Sequence, residues 1–172
     1  MSKVLLVGTL IITLAVSISC FAQVNIGVGI KFIREAPFLA VNTVWGGFGA
    51  EAGIGMTSYG YLGYNMSLLW YLVNGKAYFS MPLLRPYLGA DVVGVNATVS
   101  ALGQTASGSA MGVDVLAGLE FPFDTYGIPL TVFGGLDWLM FGNLTLSYPG
   151  QTIEVPIDIS GMSFHLGARV DF

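Results

Sequence analysis

Over much of its length this chain alternates, one apolar residue followed by one small or polar residue. Near its end Phe164, Leu166, Ala168, Val170 and Phe172 interleave with His165, Gly167, Arg169 and Asp171. Near its start Val24, Ile26, Val28 and Ile30 interleave with Asn25, Gly27, Gly29 and Lys31. A helix repeats every 3.6 residues, so period two marks strands whose two faces see different surroundings.

Charge says what those surroundings are. Only 9% of residues are charged, against the usual ~25%, which is too few for an ordinary soluble surface. Twenty-four glycines dispersed through 172 residues disfavour helices. In lipid, only helices and closed barrels satisfy every backbone donor and acceptor. The windows Ala52 to Gly75 and Val92 to Val113 carry no charge, but their glycines, Asn65 or Asn96 and their period argue against membrane helices. The expectation is therefore an all-β fold, an eight-stranded antiparallel up-and-down transmembrane β-barrel.

The N-terminus has a different character. Met1-Ser2-Lys3, an apolar run from Val4 to Ile18 and then Ser19-Cys20-Phe21-Ala22-Gln23 describe a secretory signal. The run is short of the ~20 apolar residues of a spanning helix. Cleavage is expected after Ala22, giving a signal peptide over 1–22 and a barrel domain over 23–172. A lipoprotein signal would be cut before Cys20 and would want an aliphatic residue where Ser17 stands. The remaining 150 residues (172 less 22) make one ordinary domain. They lack the only cysteine, which removes disulfides, Cys-containing metal sites and Cys nucleophiles from consideration. Five basic side chains then face ten acidic ones, a formal charge of −5, so nucleic acid is not an expected partner.

Alternation and turn residues divide the domain into eight expected strands. They are Val24 to Lys31, Val44 to Met56, Tyr61 to Val73, a short Ala77 to Met81, Tyr87 to Val99, Met111 to Phe121, Leu130 to Ser147, and a last strand ending at Phe172. Asn74-Gly75 reads as a tight hairpin, and Ser100 to Ser109 as a flexible loop. From Val93 to Val99 the apolar residues change phase. Periplasmic turns are expected at Ser58 to Gly60, Leu84 to Pro86 and Asp124 to Pro129, and extracellular loops near Glu35, Thr105 and Pro149. An even count returns both chain ends to one side. Barrels gather aromatic residues at both lipid interfaces. Tyr59, Tyr61, Tyr64, Tyr87, Phe121, Phe123, Tyr126 and Phe172 are expected near the periplasmic rim, and Trp45, Trp70 and Tyr148 near the opposite one.

The stretch from Phe164 to Phe172 resembles the terminal strand of outer-membrane proteins, which ends on an aromatic residue. Arg85-Pro86-Tyr87-Leu88-Gly89-Ala90 looks like the turn-to-strand opening of small barrels of the OmpA, OmpX and OmpW type. The resemblance covers the whole mature chain. It implies a monomer in the outer membrane, with outer-membrane lipids around it and the barrel-assembly machinery as its partner during insertion. It also implies that Phe164, Leu166, Ala168, Val170 and Phe172 form the assembly signal.

The face opposite the apolar one collects Glu51, Asp91, Asp114, Glu120, Asp137, His165 and Arg169. An acidic cation-conducting lumen is one reading. Eight strands, however, enclose only enough room for side chains, which favours a packed polar core, with a largely apolar filling as one way to reconcile the low charge. His165 and Ser163 share a face, and Asp137 on the neighbouring strand should meet His165 inside the barrel. A hydrogen-bonded interior histidine is the simpler reading than a general base. Gly27-Val28-Gly29 and Gly46-Gly47-Phe48-Gly49 lack the lysine and helix of a phosphate loop; inward glycines instead make room for Tyr and Phe. No enzymatic activity, cofactor or metal is expected. The leading function is a structural or interaction barrel. The alternatives are an OmpW-like conduit or binder for small hydrophobic molecules and, further off, a lipid-modifying enzyme centred on His165.

Overall fold

The computed structural model describes residues 24–34, 36–61, 64–79, 81, 83–101, 104–148, 151–155 and 160–172. The expected signal peptide and its cleavage site lie outside them. Ten strands follow in chain order: β1 Asn25–Ile33, β2 Ala36–Trp45, β3 Phe48–Tyr61, β4 Tyr64–Tyr78, β5 Arg85–Ala101, β6 Gln104–Thr125, β7 Ile128–Phe141, β8 Leu144–Tyr148, β9 Gln151–Val155 and β10 Gly161–Asp171.

Eight of them, β1 to β7 and β10, close an antiparallel barrel. Each of β1 to β6 pairs with its successor, β7 pairs with β10, and β10 returns to β1 through Gly27↔Asp171 to Ile33↔His165. The ladder continues to the last residue, where Phe172 N donates to Ile26 O at 2.7 Å. No edge is left in the barrel wall among the described residues. The end that carries Asn25 and Asp171 is called near below, and the opposite end far. β8 and β9 form a hairpin outside this count. It stands on β6 through Ser107↔Ser147 to Ser109↔Thr145 at the far end.

The outer face is apolar along every barrel strand. Ile30, Leu39, Ile54, Val73, Leu88, Val115, Leu136 and Leu166 are exposed there, an outer surface suited to hydrocarbon and not to water. Trp45, Phe48, Phe79, Phe121, Phe123 and Phe172 are exposed around the near end.

Eight is the expected count, but the strands differ from those read in the sequence. β2 is not among the expected strands, and residues 64–78, expected as two strands around an Asn74-Gly75 hairpin, are one. Both sides of β2 are apolar, Ala36, Phe38 and Ala40 within and Leu39 and Val41 without, so no alternation marks it. Asn74 and Gly75 sit in mid-strand opposite Glu51 and Ala50. Asn74 is polar because it faces inward, where its Nδ2 donates to Glu51. Among the described residues, tight turns lie at Gly46-Gly47 and Tyr126-Gly127. Tyr126 and Gly127 have φ of 55° and 80°, the left-handed pair that a two-residue hairpin needs.

Reading Asn74-Gly75 as a turn also reverses one stretch of topology. Ser58 to Gly60 lies within β3 at the far end and is not a near-end turn. Tyr59 follows it to the far end, and the backbone of Tyr61 and Tyr64 joins β3 to β4 there. Trp45 lies at the near end, while Trp70 and Tyr87 point inward. The long seventh strand stops at Phe141, and Leu144 begins the outer hairpin. Most of the expected Ser100 to Ser109 loop is a two-stranded extension, with Ser100↔Thr105 and Asn96↔Ser109 paired.

Candidate functional site

The lumen holds two kinds of filling, divided at about mid-height. All seven side chains of the expected interior polar cluster, Glu51, Asp91, Asp114, Glu120, Asp137, His165 and Arg169, are buried inside the barrel, none more than 4% exposed. β10 brings His165 and Arg169 inward by alternation, β6 brings Asp114 and Glu120, and β3, β5 and β7 bring Glu51, Asp91 and Asp137.

Two ionic knots fill the near half. In the first, Glu51 lies between Lys31 at 3.1 Å and Lys76 at 2.7 Å and also accepts from Asn74 at 3.0 Å. In the second, Arg169 grips Glu120 with both terminal nitrogens at 2.7 and 2.8 Å and donates through Nε to Asp171 at 2.7 Å. The Tyr78 hydroxyl donates to Glu120 at 3.0 Å, and Arg85 approaches the same carboxylate at 3.4 Å. The fork geometry of a bidentate arginine pair is what allows it to be buried. Phe133 lies between the knots, with Lys76 5.4 Å and the Arg169 guanidinium 5.7 Å from its ring centre. Gly118 and Gly167 make this possible: a methyl group on either would collide with the Tyr87 or the Phe133 ring.

Asp137 and His165 do meet, with Nδ1 2.8 Å from Asp137 Oδ1. The contact is diagonal, because the ladder pairs Asp137 with Ser163 and His165 with Gly135. The second ring nitrogen, Nε2, is hydrogen-bonded to the Tyr87 hydroxyl. Both histidine nitrogens are thus occupied, neither by Ser163. The Ser163 hydroxyl has no hydrogen-bond partner among the described residues, and the group lies inside the barrel, away from lipid. The arrangement holds three strands together and leaves no free histidine nitrogen for the hydroxyl.

Above this floor the same strands turn apolar inside. On β4 the inward series runs Trp70, Leu72, then Asn74, Lys76; on β5 it runs Tyr87, Gly89, Asp91, then Val93, Val95, Ala97. The change of phase expected at Val93 does not occur. The residues keep facing inward, and it is the lumen that changes. Ile33, Ala36, Phe38, Leu72, Val93 and Leu139 make one apolar cluster, and Val95, Ala97, Ala110 and Leu144 make another above it. Trp70 and Phe141 bridge them edge to face, 6.1 Å between ring centres. Beside the first cluster is a cavity of about 280 Å³ lined by Ile33, Ala36, Phe38, Trp70, Val93 and Leu139, with Arg34 and Tyr59 at its far rim and Asp114 in its wall.

The expected interior set omits Lys31, Lys76, Tyr78 and Tyr87, all of which the structure places in the lumen. Lys31 is on the polar phase of its strand, so its signal is present in the sequence. Lys76 is hidden by the turn assigned to Asn74-Gly75, and Tyr87 by its place among expected interface aromatics.

The sequence has no match among known protein families or curated proteins. Solved structures do match. Neisserial surface protein A is 14% identical, with 87% of this chain and 94% of that one aligned at a TM-score of 0.54. A major outer-membrane protein of Thermus thermophilus aligns over 87% and 99% of the two chains at 14% identity and a TM-score of 0.53. Ail, the attachment invasion locus protein of Yersinia pestis, aligns over 87% and 96% at 14% identity and 0.53, and has also been solved with the heparin analogue sucrose octasulfate. The fold is that of the small outer-membrane β-barrels. At this identity the likeness reaches the strand count and closure and not the lumen residues.

Proposed function

We propose that this chain is an outer-membrane barrel that holds a small hydrophobic molecule in the far half of its lumen. The observation that carries the reading is the apolar cavity. Its ~280 Å³ is close to the lower end of the roughly 300–1,000 Å³ of small-molecule pockets, and well above the ~150 Å³ that accepts benzene in an engineered apolar cavity. The ionic knots below it make a floor, so the barrel receives a molecule from the far side or from lipid without passing it straight through. Location in the outer membrane is supported by the apolar outer face, the fold and the expected signal peptide. The polyanion bound by Ail is not carried over. Among the described residues at the far end, Arg34 is the one cation.

A purely structural or interaction role keeps one observation in its favour, the β8–β9 hairpin standing on β6 beyond the barrel, which offers edge and face to a partner. Binding separates the two readings. Refolded mature barrel in zwitterionic lipid nanodiscs should bind N-phenyl-1-naphthylamine saturably at about one per barrel, and Ala36→Phe, which fills the cavity, should weaken binding about tenfold or more. Fluorescence no greater than in empty nanodiscs would overturn the proposal.

The same location makes the β10 alternation an assembly signal. Phe164 and Leu166 are exposed to lipid, as is Phe172, and Phe172 also closes the ladder to β1. Removing Phe172 should lower the heat-shifted, folded fraction in outer-membrane preparations while export continues. An unchanged fraction would remove the terminal aromatic from that role.

A further inference from the structure

The cavity wall contains one acidic group, Asp114, and its surroundings leave it without a counter-charge. Asp114 is 1% exposed. Among the described residues its Oδ1 has no hydrogen-bond partner, and no cation lies within ion-pair distance of it. The lumen cations are committed elsewhere: Lys31 and Lys76 to Glu51, and Arg169 and Arg85 to Glu120. The neighbours of Asp114 make matters worse. Asp91 stands directly opposite it on β5, with neither oxygen hydrogen-bonded and Lys31 no closer than 3.8 Å. Asp137, on the adjoining strand, lies within side-chain hydrogen-bond reach of Asp114, but as a third acid it brings no counter-charge. A carboxylate with no counter-charge, removed from water, is strongly destabilising, and here it borders an apolar space large enough for a ligand. Among the described residues no three His, Cys, Asp or Glu side chains are arranged to hold a metal ion, so the complement sought is an organic cation.

We propose that the ligand of this cavity is a cationic amphiphile, an apolar body of aromatic or aliphatic character carrying one ammonium group that pairs with Asp114. The proposal rests on the hydrophobic-binder reading and adds the charge. The body lies against Phe38, Trp70, Val93 and Leu139, and the ammonium enters the wall at Asp114 with Asp91 behind it. Arg34 stays at the rim, exposed, where it does not neutralise Asp114.

A matched pair of probes separates the two layers of the argument. 3-Phenylpropylamine and 3-phenylpropanol have the same body and differ in charge. They are titrated calorimetrically into the refolded barrel in zwitterionic nanodiscs, with empty nanodiscs as the baseline. The amine is expected to bind about tenfold or more tighter than the alcohol, as a charge-assisted contact provides. Asp114→Asn keeps the shape and should erase that preference, bringing the affinities of amine and alcohol together. Arg34→Gln should leave the preference intact. Binding of neither probe overturns the hydrophobic-binder reading itself. Alcohol binding with no preference for the amine overturns the cationic ligand alone. A preference that survives Asp114→Asn also overturns the assignment, as does one that appears only in Arg34→Gln, because Arg34 is then the counter-charge. Folding of each variant is checked by its heat-shifted mobility.

Discussion

The near and far halves of the lumen are built by the same eight strands and the same glycine-rich wall, yet they solve the filling problem in opposite ways. The near half is filled by long charged side chains in pairs, Lys31 and Lys76 about Glu51 and Arg169 and Arg85 about Glu120. The far half is filled by Leu72, Val93, Trp70 and Leu139 and leaves a cavity. Ion pairs in a low-dielectric interior require each member to be present and placed, so the near half is complete or broken. Apolar contacts are non-directional, so the far half tolerates space. The contrast teaches that one narrow wall can carry an ion-paired filling at one end and an apolar filling with space in it at the other.

That contrast can be broken by deletion. Glu51→Ala leaves Lys31 and Lys76 buried without their shared carboxylate and should cost about 3–5 kcal/mol, the scale for one partner lost from a buried pair, or prevent refolding. Leu72→Ala in the far half should cost about 2–3 kcal/mol, the lower part of the range for buried leucine, because the new space merges with an existing cavity; it should also admit a bulkier ligand. Urea unfolding in lipid vesicles, followed by tryptophan fluorescence, measures both. A larger loss for Leu72→Ala than for Glu51→Ala would mean that the charged half is not what holds the barrel closed.

The two halves also differ in how far they can be read from the sequence. Where the lumen is polar, alternation marks the strands: β1, the start of β3, the start of β5, the middle of β6 and β10 are all legible with the right faces, Glu51 and Arg169 included. Where the lumen is apolar, inner and outer faces have the same chemistry and period two disappears. β2 goes unseen for that reason. Met66, Leu68, Trp70 and Leu72, the apolar phase of their strand, point inward. Val93 to Val99 suggest a shift of phase that the backbone does not make. The count of eight is reached because a missed strand and a divided one offset each other. The Asp137–His165 contact survives these errors because its two strands carry polar inward residues, although the register is two residues diagonal and Tyr87 is not foreseen as the third member.

The division of the lumen is tested most directly at Trp70, the one tryptophan of the chain's three that points inward, since Trp45 and Trp138 face outward. A barrel carrying Trp45→Phe and Trp138→Phe retains Trp70 as its only emitter, at the wall of the cavity and above the ionic floor. In zwitterionic nanodiscs, energy transfer from Trp70 to N-phenyl-1-naphthylamine should rise to saturation at about one probe per barrel and should fall when Ala36→Phe is added. Transfer that grows in proportion to the probe dissolved in lipid, alike with and without Ala36→Phe, would contradict the account, because the far half of the lumen would then be filled and not receptive.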